Sequence, residues 1–434
     1  MKQKQEPWLP LSDLYKAYID CKRRKRNTHA CASFERHEAT NLMKLYRALN
    51  NGTYEIGFSN AFCVTRPKLR EVFAADFPDR IVHHLLIMKT LPLFEDYFIP
   101  DSYNCRVGKG TLYGHKRLAK MASLHPGEWI LCIDLKNFFC SIPKRRLADR
   151  IEDFLRKFYN EPDKEHIIKL TRQVILHKPQ DRCIKKGNLR IFDELPKEKS
   201  LFTCNPEKGM AIGNLTSQIY ANFYLTEIDR FIVSKVGPGR YGRYVDDLRI
   251  IGTRDDLLKL LPEIREKLTE MGLELHPKKW ELQPIHRGFN FIGGTIKPGR
   301  MYTGNRTVGN FQNKIRLWNK KDEKWIEENI EKIVQSYNSY CGFMVQYKSF
   351  GIRKKLWKLL SDKVKKFTYL TNHMSVLRVR NKYKQITKLK EKYYDPKLLY
   401  HKLRKAKKSG GKKILGKSIP KRNRRNDRSL GRTS

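Results

Sequence analysis

Three aspartates in this 434-residue chain sit where apolar, strand-like sequence gives out. Asp134 closes the run EWILCIDLKNFFCSI, and Asp246 and Asp247 stand side by side in GRYVDDLRII, residues 242–251. An Asp pair between β-prone runs is most simply a turn, because its side chains bond to nearby backbone. The positions allow more than that. If the two strands are neighbours in one sheet, three carboxylates converge, and their repulsion raises at least one pKa. A divalent cation reverses that logic, since Mg²⁺ takes oxygen ligands and keeps carboxylates ionised. Two such ions about 3.5–4 Å apart can activate an attacking hydroxyl and stabilise a leaving pyrophosphate. Adjacent strand residues point to opposite faces. Asp246 and Asp247 are therefore not equivalent, and Asp246 is expected to be the closer, bridging ligand.

Those carboxylates are exceptions in a basic chain. Lys and Arg number 90 against 45 Asp and Glu, a formal net charge of +45. Such a field attracts polyanions, nucleic acid first and anionic membrane second. No apolar run approaches the ~18–20 residues of a membrane span. The opening MKQKQEPWLPLSDLYKAY lacks the apolar segment of a secretion signal. Nine cysteines without a C-x-x-C pair argue against a zinc knuckle or a disulfide framework, so a reduced cytoplasm is the expected location.

The elements that must carry the aspartates follow from periodicity. LSDLYKAYIDCKRRKR and HEATNLMKLYRAL have helical spacing. AFCVTRPKLREVFAA alternates and predicts an exposed hairpin, and DRIVHHLLIMKTLPLFEDYF predicts a helix. SYNCRVGKGTLYGHKRLAKMA reads as a glycine-punctuated loop entering a helix. Its 106–111 stretch does not satisfy the G-x-x-x-x-G-K-[ST] phosphate loop. A buried strand ends at Asp134, helices are expected over 144–176, and 177–208 reads as irregular and basic. GMAIGNLTSQIYANFYLTEIDRFI is a glycine-opened helix, followed by the aspartate hairpin, a helix over 255–271, and strands around LELHPKKWEL and FNFIGGTI. Residues 324–346 and KLWKLLSDKVKKF predict two amphipathic helices. From 371 to 434 there are 22 Lys and Arg against 3 Asp and Glu, the composition of a flexible basic arm. RNA is the simplest partner for that arm, since phosphate contacts need no particular fold. A nuclear address or an acidic protein is the alternative.

Taken in order over about residues 10–370, these segments resemble the reverse transcriptases. DLKNFFCSI is similar to their first catalytic strand, YVDD to their second, and IGNLTSQ to the helix-opening motif between them. FAADFPDRIVHH resembles the fingers segment, and HPKKWEL and FNFIGG the elements that close the palm and lead to the thumb. Many intron-type enzymes carry Q-G-x-x-x-S-P where this chain has I-G-N-L-T-S-Q. With LPKEKSLF upstream and YNSYCGFMVQYKSF in the thumb, that form is similar to the reverse transcriptases of diversity-generating retroelements. Those enzymes copy a template RNA with errors at adenines, replace a variable region with the cDNA, and typically work with a small basic accessory protein. The retron V-T-G and an H-N-H or Cys-rich endonuclease module are absent from the sequence.

The resemblance implies an α+β right-hand polymerase: N-terminal helices and fingers over 1–127, a palm strand over 128–143, an insertion over 144–208, and the main palm over 209–298. A helical thumb spans 299–375 and a basic C-terminal tail 376–434. It implies two Mg²⁺ ions, with Mn²⁺ as the alternative, held by Asp134, Asp246, Asp247 and the backbone of Leu135. Phe139, five residues after Asp134, would pack under the incoming sugar and exclude a 2′-hydroxyl, the group that separates RNA from DNA precursors; the plainer reading is a core phenylalanine. Lys68 and Arg70 on the fingers hairpin would clamp the triphosphate, unless they form a solvated basic face. Ile212, Gly213, Ser217 and Gln218 would line the nucleotide site. Lys279 would lie near the nucleotide as an acid for pyrophosphate, with Lys278 as its rival. Arg106, Lys109 and Tyr244 would touch nucleic acid. His83 and His84 are expected to pack in the fingers. The partners expected are template RNA, primer or cDNA and dNTPs, with no membrane. A stand-alone prokaryotic enzyme of defence or intron type and a non-catalytic RNA-binding scaffold are the alternatives.

Overall fold

The computed structural model describes residues 7–383 apart from 24, 27 and 67. Residues 384–434, most of the expected basic tail, lie outside the described residues. The rest falls in two compact units, one running to Gln312 and taking in Gly342–Ile352, the other made of Asn313–Cys341 and residues from Arg353 on.

The first unit begins with helices α1 (Leu11–Lys22), α2 (His29–Glu35) and α3 (Glu38–Asn50). Leu14, Ala17, Tyr18 and Cys21 form the buried stripe of α1, at the i, i+3, i+4, i+7 spacing of one helix face. Strands β1 (Ser59–Val64) and β2 (Arg70–Ala74) are the expected antiparallel hairpin, but one face is buried and not exposed, Ala61 opposite Phe73 packing with Leu201 and Ala211. Helices α4 (Phe77–Tyr97) and α5 (Thr111–Leu124) lead to β3 (Trp129–Leu135), the four-residue α6 (Phe138–Ser141), α7 (Lys144–Phe158) and α8 (Lys164–Leu176). The irregular stretch that follows holds β4 (Cys183–Lys185) and α9 (Arg190–Asp193). The hairpin is thereby a three-stranded sheet, β4 lying parallel to β1. A three-residue strand is too short to carry a period, so sequence alone shows only the hairpin.

Helix α10 (Leu215–Val236), strands β5 (Tyr241–Tyr244) and β6 (Asp247–Gly252), helix α11 (Arg254–Glu270) and strand β7 (Leu275–Pro284) complete the central layer. The sheet runs β5-β6-β3-β7, antiparallel throughout. Side-chain alternation divides its two faces. Leu131, Ile133, Leu248 and Ile250 join α10 and α11 in the main core, and Ile130, Cys132 and Ile251 join α5 in a second. The second core is closed by β8 (Phe289–Phe291), β9 (Gly294–Lys297) and β10 (Arg300–Thr303), a separate sheet. Buried on nearly every side, α10 shows little amphipathicity, as a helix enclosed by a core should.

Helix α12 (Asn305–Asn319), α13 (Glu323–Met344), α14 (Phe350–Leu359), α15 (Asp362–Phe367), β11 (Thr368–Thr371) and β12 (Val376–Val379) follow. In the second unit Ile326, Ile330, Ile333 and Tyr337 are the buried stripe of α13. KLWKLLSDKVKKF is two helices, not one. The break falls at Ser361, whose backbone is extended and whose N–H donates to Asn319 Oδ1 at 2.9 Å, while Asn319 Nδ2 donates to the Leu359 carbonyl. One amide thus satisfies backbone groups on both sides of the break. Strand β12 lies at the start of the segment expected to be tail, and its Leu377 is buried. Among the described residues, no helix is long and apolar enough to cross a membrane, and all nine cysteines are free.

Candidate active site

The pairing of β3 with β6 sets Asp134 directly opposite Asp247, and cross-strand partners point to the same face. Asp246 sits between β5 and β6 in a two-residue connection whose first member, Val245, has φ 56°. Left-handed backbone there is usual for glycine and costly for a β-branched residue. The surroundings hold it in place. Arg243 Nη1 donates to the Val245 carbonyl at 3.0 Å, and the same guanidinium makes a two-pronged pair with Asp229, with both side chains fully buried. Leu135 is buried, and its N–H donates to the Asp246 carbonyl at 3.2 Å. The three aspartates that sequence reasoning singled out therefore share one corner of the sheet.

Their electrostatics are those of crowded carboxylates. Burial, reinforced by the charge of Asp134, pushes Asp246 up to about 6. Burial also raises Asp247, opposed by Arg249. Lys279 Nζ donates to Asp134 Oδ2 at 2.7 Å, and Arg249 Nη1 donates to Asp247 Oδ1. Among the described residues no three His, Cys, Asp or Glu side chains are gathered as a ready ligand shell, and two of these carboxylates are turned to cations of the chain itself. The donor set nevertheless fits a hard divalent ion. It is all oxygen, and the repulsion and desolvation that raise Asp246 are what a bound cation would relieve.

Around this corner the other expected residues are distributed unevenly. Phe139 is half-buried on α6, edge-on to Phe138 at 5.4 Å between ring centroids, and its carbonyl accepts from Met210 N at 2.7 Å. Arg70 is exposed at the start of β2, yet its charge acts on Asp246 against the rise in pKa. Lys68 is exposed in the turn before it. Ile212 is half-buried, and its carbonyl accepts from Phe73 N at 2.9 Å, joining the segment before α10 to β2. Gly213 has φ 120°, and a Cβ there would meet Val72 Cγ1 at 2.8 Å and the Phe73 oxygen at 2.9 Å. The close approach of these two segments therefore requires glycine. Ser217 is buried on the first turn of α10, and Gln218 Oε1 accepts from Cys105 Sγ at 2.7 Å.

The nucleic-acid set is less uniform. Tyr244 is half-buried on β5 next to the turn, edge-on to Phe291. Arg106 is committed to its own loop through Glu95, the Ile99 carbonyl and Ser102. Lys109 donates to the Pro100 carbonyl at 2.5 Å. Of the histidines, His83 is buried and His84 bonds to Asp20 at 2.8 Å. Sequence reasoning missed Arg249 and the Arg243–Asp229 pair. The available signal was a charged residue inside an otherwise apolar strand, which calls for a buried partner.

Residues 68–296, just over half the chain, match the family described as reverse transcriptase (RNA-dependent DNA polymerase). No curated protein matches. A solved structure of telomerase from Candida albicans, in complex with a TWJ fragment of telomeric RNA, is similar at 11% identity and a TM-score of 0.39. That likeness covers 72% of this chain and 59% of the telomerase chain.

Proposed function

The chain belongs to the reverse transcriptase (RNA-dependent DNA polymerase) family, and we propose that it makes error-prone cDNA from a template RNA in a diversity-generating retroelement. Membership makes it an RNA-directed DNA polymerase, a nucleotidyltransferase of α+β polymerase fold. The retroelement assignment rests on the helix-opening motif, where Ile212 stands in place of glutamine.

In this reading Asp134, Asp246, Asp247 and the backbone of Leu135 hold the divalent ions, two Mg²⁺ or in their place Mn²⁺. When bound, these ions lower the pKa of the primer 3′-hydroxyl and stabilise charge on the leaving pyrophosphate. Arg70 and Lys68 clamp the triphosphate from the hairpin, and their charges favour the transition state in which phosphoryl charge spreads outward. Lys279, which donates to Asp134, would supply the proton to the leaving pyrophosphate. Phe139 walls off the 2′ position, with Gly213, Ser217 and Gln218 bordering the nucleotide. Tyr244 meets the primer end. Arg106 and Lys109 act on nucleic acid through the loop they brace. Template RNA, a small basic accessory protein and a cytoplasmic setting complete the proposal.

The observation that carries it is the position of Ile212. Its carbonyl is tied to β2, so its half-buried side chain lies where the hairpin meets the segment before α10. A glutamine there could pair with nucleotide or template, whereas isoleucine offers only bulk. Sites that hydrogen-bond their substrate reject misfits far more strongly than apolar walls do. Isoleucine accounts for looseness; nothing in its chemistry singles out adenine. Sequencing cDNA made from one heteropolymeric RNA by wild type and Ile212→Gln tests the reading. Errors opposite adenine are expected to fall more in Ile212→Gln than errors opposite the other three bases. Equal adenine error rates from two active enzymes would remove Ile212 from fidelity. Absent any adenine bias in wild type, the stand-alone enzyme becomes the better reading.

A further inference from the structure

Arg249 is unusual among the cations of the sheet. It lies on β6 two residues after Asp247, on the same face, and its side chain is only 8% exposed. Its guanidinium reaches three groups at once. Nη1 donates to Asp247 Oδ1 and to the Leu248 carbonyl, while Nε and Nη2 donate to the Asn290 carbonyl at 3.2 and 2.6 Å. The guanidinium carbon also lies 5.2 Å from the centroid of Phe291. Strand β8, which carries Asn290 and Phe291, is not hydrogen-bonded to β6; it belongs to the other sheet. Arg249 therefore bridges two sheets at the catalytic carboxylate.

The segment after Asn290 also acts on Asp247. The backbone of Ile292, the residue after β8, opposes the rise in the Asp247 pKa. Ile292 has φ 40°, a left-handed conformation costly for a β-branched side chain. Strained backbone of this kind persists only where its surroundings over-determine it. Here they do. Phe289 and Phe291 are buried on either side of Asn290, and the Phe291 carbonyl bonds to buried His115 at 2.7 Å. Asp247 is thus gripped by a guanidinium of its own strand that is itself anchored on the Asn290 carbonyl of β8.

We propose that Arg249 is a positioning residue for catalysis, holding the Asp247 carboxylate in register with Asp134 and tying the catalytic hairpin to the 289–292 turn. The proposal rests on the polymerase reading above. Asp247 faces Asp134 across the strands, and without a tether like charges turn apart. A forked guanidinium can hold one carboxylate oxygen and the Asn290 carbonyl together, while a lysine ammonium lacks the fork. The same positive charge also repels a cation bound nearby, so Arg249 lowers cation affinity while it improves geometry.

That opposition makes the test specific. Full-length wild type, Arg249→Met, Arg249→Lys and Asp247→Asn are compared by Mn²⁺ titration followed by electron paramagnetic resonance, and by primer extension on an RNA template. Methionine keeps packing against Phe291 and removes the charge. Arg249→Met is expected to bind Mn²⁺ roughly threefold or more tightly, because a repelling charge is gone. Its kcat should fall about tenfold or more, with dNTP KM within about threefold, the pattern of impaired transition-state geometry. Arg249→Lys should bind Mn²⁺ like wild type and extend at an intermediate rate. Adding Arg249→Met to Asp247→Asn should slow the enzyme no further, because the two act as one unit. A merely structural arginine would weaken binding and turnover together. Wild-type kcat in Arg249→Met, unchanged Mn²⁺ affinity, or multiplying losses in the double variant would each overturn the proposal. If Arg249→Met does not fold, the lysine variant decides by its rate at unchanged Mn²⁺ affinity. Wild type that binds Mn²⁺ yet incorporates no dNTP would defeat the polymerase reading, and the Mn²⁺ comparison would still judge Arg249.

Discussion

The residues around Asp246 divide by what each could do for a nucleotide. Asp246 has its pKa pushed up to about 6, because burial and Asp134 both oppose its charge. Asp246→Asn and Asp134→Asn are therefore expected to cut dNTP incorporation by about a thousandfold or more, the scale of losing focused transition-state electrostatics. Filter binding of RNA should be unchanged, since basic groups elsewhere bind phosphate. Near-normal extension by Asp246→Asn would dismiss the site. Phe139 is tied through its own carbonyl to Met210 N, so its backbone stays put when the ring is removed. Phe139→Ala should raise ribonucleotide use relative to dNTP roughly tenfold or more, as removal of a steric wall does. An unchanged ratio would mark Phe139 as a core residue beside Phe138.

At the level of elements, α4 carries two buried groups with opposite pH behaviour one turn apart. Asp79 is buried, accepting from Tyr54 Oη at 2.7 Å and Gly57 N at 3.0 Å, and burial raises its pKa from 3.8 to about 6. The native state therefore binds more protons than the unfolded chain between those values, and stability falls as pH rises through them. Burial lowers His83 from 6.5 to about 3, so its contribution to stability rises over that interval. The two offset each other in wild type. Asp79→Asn removes the falling limb only. Between pH 4 and 7 its stability relative to wild type should climb by up to about 3 kcal/mol, whatever its starting deficit. Urea denaturation at several pH values measures this, and a constant difference between the two proteins would refute it.

For the whole molecule the dominant quantity is charge, +45 in formal terms. About a third of it, 19 Lys and Arg against 3 Asp and Glu, lies beyond the described residues, after Tyr383. Deleting 384–434 leaves β11 and β12 intact and should weaken RNA binding and flatten its salt dependence. Every phosphate that the tail no longer neutralises takes about 0.7 off the log–log slope for single strands. An unchanged slope, measured by titration at several salt concentrations, would assign the tail to another partner.

The sequence by itself determined the aspartates, their order and the strands that carry them, because these signals are local. A strand ending in Asp134, a hairpin interrupted by Asp246 and Asp247, and a glycine before α10 can each be read within ten residues. The same locality made α1, α3, α4, α10 and α13 legible. Tertiary structure decided what faces those aspartates. Pairing of β3 with β6 set Asp134 opposite Asp247. Packing of β8 against the second core brought Asn290 to Arg249 across 41 residues of chain. Tertiary contacts also mark the break of KLWKLLSDKVKKF at Ser361, where Asn319 from another helix satisfies the exposed backbone. Periodicity records which face of an element is buried and is silent about which partner buries it. Ion pairs and caps between distant segments follow from the fold's register, which no single segment contains.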